Sequence, residues 1–137
     1  MQKIDTIKKL QSAVKTFIAE REWQAFQTPK NVSTNLSVEA AELLEFFIWA
    51  EGQESYKIVE HNRTAIEHEV ADIMITLLTF CSSAKIDLEK VVEEKLELIK
   101  AKYPVENVKG HHSAYYKIKL KKDQKNNSTR IFITAIL

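Results

Sequence analysis

Glycine and proline are scarce in this sequence, and this limits the available folds more than any other feature. The chain has 137 residues but only two glycines and two prolines. Strands joined by tight turns need more of both, because glycine supplies positive φ angles and proline preorganises turns. The length suits one domain with one core. We therefore predict an all-α fold, an antiparallel helical bundle of about four main helices.

Apolar residues recur at three- and four-residue spacing, which is typical of amphipathic helices. A first helix is predicted from Ile4, fading between residues 23 and 29, and the polar residues 28–35 predict a loop with cap residues. A second helix is predicted from residue 36 to about residue 50. It is apolar nearly all round, so we expect it to be buried on most sides.

A third helix is predicted from about residue 55 to residue 84. Its inner stripe is expected to contain Ile66, Val70, Ile73, Leu77, Phe80 and Cys81. Asp87 is well placed to cap the N-terminus of a fourth helix, which Pro104 should end.

The last part of the chain differs in composition. It is rich in lysine and asparagine, with a low-complexity run at residues 119–127. Such composition buries too little apolar surface to order a segment by itself. We therefore expect a domain over residues 1–118 and a basic C-terminal tail over residues 119–137, for which disorder is the first expectation. The apolar residues 131–137 are expected to pack on the domain or on a partner subunit.

Charge, cysteine content and hydropathy exclude several functional classes. The formal net charge of +1 lacks the basic excess that indicates nucleic-acid binding. Cys81 is the only cysteine, so the chain can form neither an internal disulfide nor a cysteine-cluster metal site. No segment approaches the roughly 18–20 apolar residues that a membrane span needs. We expect a cytoplasmic protein that binds neither nucleic acid nor membrane.

Two groups of carboxylates on the predicted helices have no basic residue near them in sequence. Residues 31–56 contain no lysine or arginine, yet Glu39, Glu42 and Glu45 follow at three-residue steps on one helix face. Residues 64–84 repeat the pattern with Glu69 and Asp72. A solvated helix face normally interleaves lysines at four-residue spacing. Each helix therefore presents an uncompensated acidic pair.

Uncompensated carboxylates on mostly buried helices need raised pKa values, distant lysines or bound cations. Oxygen ligands without paired histidine or cysteine suit Mg²⁺ or Mn²⁺ better than Zn²⁺. A di-iron bundle would place histidine three residues after Glu39 and Glu69, where this chain has Glu42 and Asp72. Acids on a solvated helix face are the alternative, and the presence of two such pairs weighs against it.

The four acids form a spaced motif: Glu39-x-x-Glu42 is followed, after 26 residues, by Glu69-x-x-Asp72. This motif resembles the metal-binding signature of the MazG-like all-α nucleoside triphosphate pyrophosphohydrolases. The flanking segments look like the dCTP pyrophosphatase branch of that family. They are Glu20-Arg21-Glu22-Trp23, Thr28-Pro29-Lys30-Asn31, the run from Glu42 to Trp49, Asp87-Leu88 and Lys102-Tyr103-Pro104-Val105. The resemblance extends from about residue 4 to residue 116.

The resemblance implies an enzyme that hydrolyses nucleoside triphosphates, dCTP or other deoxynucleotides, to the monophosphate and pyrophosphate. Its role would be to clear surplus or non-standard nucleotides. Glu39, Glu42, Glu69 and Asp72 would hold Mg²⁺, for which Mn²⁺ could substitute. Either Glu42 or Glu45 would act as the general base.

The same resemblance implies the substrate contacts and the assembly. Trp23 and Trp49 would contact the base, and a tryptophan face can stack on any base for about 1–3 kcal/mol. Lys95 would contact phosphate, with a solvated lysine as the alternative. Because the family forms dimers or tetramers, a homo-oligomer is expected.

Three positions depart from the dCTP branch. Val14 and Thr76 stand where the branch has a histidine and a tyrosine, and Ile99 stands in place of an asparagine. Hydrogen bonds to the edge of a base distinguish one base from another. We therefore expect Thr76 to lie on an altered base-contact wall. We also expect another deoxynucleotide, such as dATP, to be turned over within about tenfold of dCTP. The departures also leave a second hypothesis, a non-catalytic helical interaction module on the same fold.

Overall fold

The structure, a computed structural model, describes residues 6–110, and helices dominate this part of the chain. No strand occurs in it, so the predicted all-α class is confirmed. In chain order the elements are α1 (Thr6–Glu20), a short 3-10 helix (Gln24–Phe26), α2 (Pro29–Glu45), α3 (Glu54–His61), α4 (Arg63–Ser83), α5 (Leu88–Lys102) and α6 (Val105–Val108). The predicted tail and the domain limit at residue 118 lie outside the described residues.

Helix α2 begins earlier than the sequence pattern predicted. Thr28 is extended (φ −70°, ψ 151°), and its side chain accepts a hydrogen bond from the backbone N–H of Asn31 at 3.2 Å. Pro29 occupies the first turn, where its missing N–H costs nothing. The predicted loop at residues 28–35 is therefore wrong after Thr28, because a cap and a proline start the helix there. The predicted end near residue 50 is also too late, since α2 ends at Glu45.

The predicted third helix is in fact two helices. Asn62 (φ −113°, ψ 23°) leaves helical geometry between α3 and α4. Its side-chain Nδ2 donates a hydrogen bond to the Ile58 carbonyl oxygen at 3.1 Å. An asparagine that bonds a nearby carbonyl competes with helix continuation, and this accounts for the break.

Two residues after the end of α1, and again after the end of α4, the chain has a residue in the left-handed region, although neither residue is glycine. Glu22 has φ 53° and Lys85 has φ 56°. After α1, the N–H of Trp23 bonds the Ile18 carbonyl at 3.1 Å and the N–H of Glu22 bonds the Ala19 carbonyl at 3.0 Å. This hydrogen-bond pattern is a Schellman motif. It satisfies carbonyls at the end of α1 and fixes where the chain carries Trp23.

The chain divides into two compact units between Val91 and Val92, inside α5. In the first unit, α4 packs most extensively on α2, then on α1 and then on α3. Asp87 caps α5 as predicted, because its Oδ1 accepts a hydrogen bond from the N–H of Lys90 at 3.1 Å. The described part of the second unit contains the rest of α5, which ends two residues before Pro104, and α6.

The core of the described residues is small and centred on α4. The buried side chains are Val32 from α2 and Ile66, Thr76, Leu78, Thr79 and Cys81 from α4. The expectation that the helix predicted over residues 36–50 is buried on most sides is wrong for this chain. None of those residues is buried, and Val32, the one buried residue of α2, lies before them. The predicted inner stripe is wrong at Val70, which is 53% exposed. Within residues 6–110, no helix has the length and apolarity that would let it cross a membrane.

Candidate functional site

Three carboxylates from two helices meet where α2 packs on α4. Glu39 of α2 and Glu69 and Asp72 of α4 each offer an oxygen, and these oxygens all lie within 4.8 Å of one another. Glu69 and Asp72 can converge because residues three apart share a helix face. Glu39 and Glu69 are half-buried, and Asp72 is exposed. The packing of two helices thus joins acids that are 30 or more residues apart in sequence.

This carboxylate group fits a divalent cation. Two oxygens on opposite sides of Mg²⁺ lie about 4.2 Å apart, because each Mg–O distance is about 2.1 Å. Neighbouring ligand oxygens of such an ion lie about 3.0 Å apart, so side-chain movements would bring these three oxygens, now within 4.8 Å of one another, onto one ion. None of the ion pairs formed among residues 6–110 involves Glu39, Glu42, Glu69 or Asp72. No described lysine or arginine therefore takes the place of a metal ion by pairing with these acids.

The electrostatics of Glu39 reflect this crowding. Burial raises the pKa of Glu39, and the neighbouring carboxyl groups of Glu42 and Asp72 raise it further. A side-chain hydrogen bond with Glu42 adds to the rise in the pKa, whereas the hydrogen bond from Asn35 opposes it. Like charges gathered without a cation disfavour the ionised form. A bound cation would reverse that effect, since it favours the carboxylate.

Asn35 connects the carboxylate group to the rest of the first unit. Its side-chain Nδ2 donates to Glu39 Oε1 at 3.0 Å and to the Thr76 hydroxyl oxygen at 3.4 Å. The sequence analysis missed this residue. Its position four residues before Glu39 on a helix was the available signal, because side chains at that spacing are neighbours.

A cavity of about 440 Å³ opens beside Asn35, between α1, the 3-10 turn, α2 and α4. Trp23 lies on its wall and packs edge-on against Phe17, with ring centroids 5.9 Å apart and planes at 79°. Val14 and Thr76, the two altered positions, also line the cavity. So do the side-chain amides of Gln27 and Asn31, which the sequence analysis did not identify.

The other residues singled out from the sequence lie apart from this cavity. Glu42 contacts Glu39 but is not one of the three acids whose oxygens meet. Glu45 is the exposed last residue of α2. Trp49 is 92% exposed and does not line the cavity. Lys95 belongs to the second unit, where it is exposed on α5.

Comparison with known proteins gives one consistent result. A sequence model of the MazG-like family matches residues 34–118. The dCTP pyrophosphatase 1 of Rattus norvegicus is 31% identical over 103 residues, which cover 72% of this chain and 59% of that protein. The Bos taurus protein of the same name is 32% identical over 101 residues, with 72% and 60% covered. This chain therefore spans about 60% of the length of these curated relatives.

The fold has a solved counterpart. A pyrophosphatase from Archaeoglobus fulgidus superposes with a TM-score of 0.71 at 33% sequence identity. The match covers 76% of this chain and 97% of that one. The helical architecture described above is therefore the architecture of a known pyrophosphatase.

Proposed function

Because this chain belongs to the MazG-like family, we propose that it hydrolyses nucleoside triphosphates to the monophosphate and pyrophosphate with a divalent metal ion. The observation that carries the proposal is the meeting of Glu39, Glu69 and Asp72 beside a cavity that holds Trp23. The relatives are named dCTP pyrophosphatases, so dCTP and other deoxynucleotides are the proposed substrates. Mg²⁺ is the proposed metal, with Mn²⁺ as a substitute, and clearing the nucleotide pool is the proposed role.

The acidic residues would bind the metal and the triphosphate end of the substrate. Glu39, Glu69 and Asp72 are the proposed ligands, with Glu42 as a fourth. These residues would hold a divalent ion, which would supply charge that offsets the phosphates and would lower the pKa of an attacking water. At 100° per residue, Glu42 is rotated about 60° from Glu39 around the helix, and Glu45 about 120°. Helix geometry therefore favours Glu42 over Glu45 as the general base.

The cavity would receive the nucleoside. Trp23 offers a flat face for stacking, which tolerates any base. Val14 cannot hydrogen-bond through its side chain, so the amides of Gln27 and Asn31 are the polar groups best placed to meet the base edge. We expect recognition through two flexible amides to give modest selectivity, with another deoxynucleotide turned over within about tenfold of dCTP.

A homo-oligomer, a dimer or tetramer, is the proposed state of the enzyme. At the C-terminal end of α2 and just after it, several large apolar side chains face solvent: Leu44 is 57% exposed, Ile48 is 51% exposed and Trp49 is 92% exposed. Clusters of exposed apolar side chains mark interaction surfaces more often than isolated ones do. A second copy of the chain would cover them. The assignments of Trp49 to the base and of Lys95 to phosphate rest on the family resemblance alone.

The decisive experiment measures pyrophosphate release from a panel of ribo- and deoxynucleoside triphosphates in Mg²⁺. We expect release from deoxynucleotides, and we expect Glu69→Gln to lower the rate by more than about 100-fold, since it removes one charged ligand. Glu67→Gln is the matched control. It removes a charge on the same helix from an exposed side chain that pairs with Arg63 at 3.5 Å.

Two results would contradict the proposal. One is the absence of pyrophosphate release from every nucleotide by folded protein. The other is an equal loss of activity in Glu67→Gln and Glu69→Gln, which would remove the special role of the carboxylate group. The first result, in a protein that still self-associates, would instead support a non-catalytic interaction module built on this fold.

A further inference from the structure

Asn35 has one polar atom that no described residue uses. A carboxylate can only accept, so the atom facing Glu39 Oε1 at 3.0 Å must be the amide nitrogen. The same nitrogen donates its second hydrogen toward the Thr76 hydroxyl at 3.4 Å. Both amide hydrogens are therefore engaged, and no residue within 6–110 donates a hydrogen bond to the side-chain oxygen Oδ1. Asn35 is exposed, so Oδ1 remains accessible as an acceptor.

The position of this acceptor matches one part of a nucleotide. Asn35 both lines the cavity that contains Trp23 and contacts Glu39 of the carboxylate group. In a nucleoside triphosphate, the sugar connects the base to the phosphates. When the base occupies the cavity and the phosphates meet the metal ligands, the sugar must lie between them, where Asn35 is.

Three other polar groups of this wall, the hydroxyls of Thr79 and Thr76 and the amide of Asn31, have other partners or positions. The Thr79 hydroxyl donates to the Ile75 carbonyl at 2.9 Å. Thr76 is 7% exposed, and its hydroxyl oxygen receives the Asn35 amide. Asn31 lies one turn before Asn35 on α2, farther from Glu39, and its Nδ2 donates to the Phe26 carbonyl at 3.1 Å. Among the amides that line the cavity, Asn35 is thus the one hydrogen-bonded to an acid of the carboxylate group.

We propose that Asn35 is a sugar-binding residue whose Oδ1 accepts a hydrogen bond from the 3′-hydroxyl of the substrate. The 3′ carbon is bonded to the carbon that bears the 5′ phosphate arm, so its hydroxyl lies nearer to the phosphates than the 2′-hydroxyl does. The ligand class is any nucleoside triphosphate with a free 3′-hydroxyl, deoxyribose included. This inference rests on the proposed function and adds a contact to the sugar.

The test compares dCTP with 2′,3′-dideoxy-CTP in the parent protein and in Asn35→Ala. Loss of one neutral hydrogen bond should lower kcat/KM of the parent roughly fivefold on the dideoxy nucleotide. In Asn35→Ala the two nucleotides should differ less than about twofold. Any loosening of Glu39 slows both nucleotides alike, so the ratio isolates the sugar contact. Alanine suits an exposed helix position, so this variant should fold, as circular dichroism would verify.

Asn31→Ala is the matched control. It removes the same side chain from the same helix and cavity one turn away, and it should keep the fivefold ratio even if its own rate changes. A parent enzyme indifferent to the 3′-hydroxyl, or an Asn35→Ala variant that keeps the full ratio, would overturn the proposal. The proposal would also be overturned if Asn35→Ala kept the ratio between dCTP and the dideoxy nucleotide but changed the preference between dCTP and dUTP, because Asn35 would then contact the base.

A binding measurement separates this inference from the proposed function. The α,β-imido analogues of both nucleotides, which resist hydrolysis, are titrated in Mg²⁺ against the intrinsic fluorescence of Trp23 and Trp49. A roughly fivefold difference in Kd that disappears in Asn35→Ala supports the sugar contact. If no nucleotide is hydrolysed, the proposed function fails, whereas equal Kd values for both analogues in the parent overturn the sugar contact by themselves.

Discussion

The two ends of α4 differ: one end contributes acids to the candidate site, and the other contributes buried side chains to the core. Toward its N-terminus, Glu69 and Asp72 meet Glu39 of α2 without a described cationic partner. Toward its C-terminus, Leu78 is 1% exposed and Cys81 is 3% exposed. We name these the acidic end and the core end. Asp72 and the buried Thr76 are only four residues, about one turn, apart, and Ile66 is the one buried residue of α4 outside the core end.

This difference separates the residues that stabilise the fold from those that would perform the chemistry. Apolar burial is the main favourable term in folding, and in α4 it is concentrated at the core end. Like charges held together without a cation oppose folding, and they are concentrated at the acidic end. The protein can keep a destabilising group of acids there because the same helix is anchored elsewhere. Substitutions at the two ends should therefore have different effects.

The largest expected effect on stability is at the core end. Leu78→Ala removes the most deeply buried large side chain among the described residues, and it should lower the free energy of unfolding by about 3 kcal/mol. Val70→Ala, on the same helix at a 53% exposed position, should change it by less than about 0.5 kcal/mol. Urea unfolding measures both values. Equal losses would show that burial does not distinguish these positions.

A smaller effect is expected in the cavity next to the acidic end. Trp23→Ala removes a stacking face and should raise KM about tenfold, with little change in kcat. The cause is weaker binding of the base, since Trp23 is 45% exposed and is not part of the carboxylate group. Steady-state kinetics with dCTP would show the split. A loss in kcat alone would move Trp23 from base binding to the chemical step.

The smallest expected effect is the pH dependence of Glu39. Burial raises its pKa, so this carboxyl holds its proton more tightly in the folded state than in the unfolded state. Its contribution to stability is therefore present below the unfolded pKa and is lost as pH rises through the folded pKa. Glutamine does not titrate, so only the parent loses this contribution. In metal-free protein, the melting temperature of Glu39→Gln should therefore increase relative to that of the parent as the pH is raised from acidic values toward neutrality.

Glu67→Gln, whose carboxylate pairs with Arg63, is the control for that pH series. A Glu39→Gln difference that stays constant with pH would show that the crowding of the acids does not strain the folded state. If the melting-temperature difference between Glu39→Gln and the parent fell as the pH rises, an attractive partner would have to stabilise the ionised carboxylate of Glu39.

The sequence allowed the fold class to be predicted, because helical spacing and scarce glycine point the same way. Boundaries were harder to predict where single residues decide them. Thr28 and Pro29 start α2 inside a polar stretch that looked like a loop, and Asn62 divides an otherwise regular apolar pattern. Glu22 and Lys85 end helices in a conformation that glycine usually adopts.

For the candidate site, spacing indicated which acids could share a face but not which ones meet. Glu39, Glu69 and Asp72 converge because α2 and α4 pack together, a tertiary fact that neither helix contains alone. The contact of Asn35 with Thr76 is also tertiary, although its spacing from Glu39 on the same helix was a signal that the sequence analysis missed. The prediction that the second helix is buried on most sides was wrong, because an apolar helix face in a sequence does not show whether it packs within the same chain or against another copy.

The central claim, that the acidic end binds a divalent metal, is tested most directly by melting the protein in increasing Mg²⁺ with a non-hydrolysable nucleotide present. A metal that binds only the folded state should raise the melting temperature continuously, with about 2.7 kcal/mol of stabilisation at 100 times the Kd. Asp72→Asn should lose most of that rise, and Mn²⁺ should reproduce it in the parent. Melting curves of the parent that do not move in either metal up to about 20 mM, many times a functional Kd, would contradict the account.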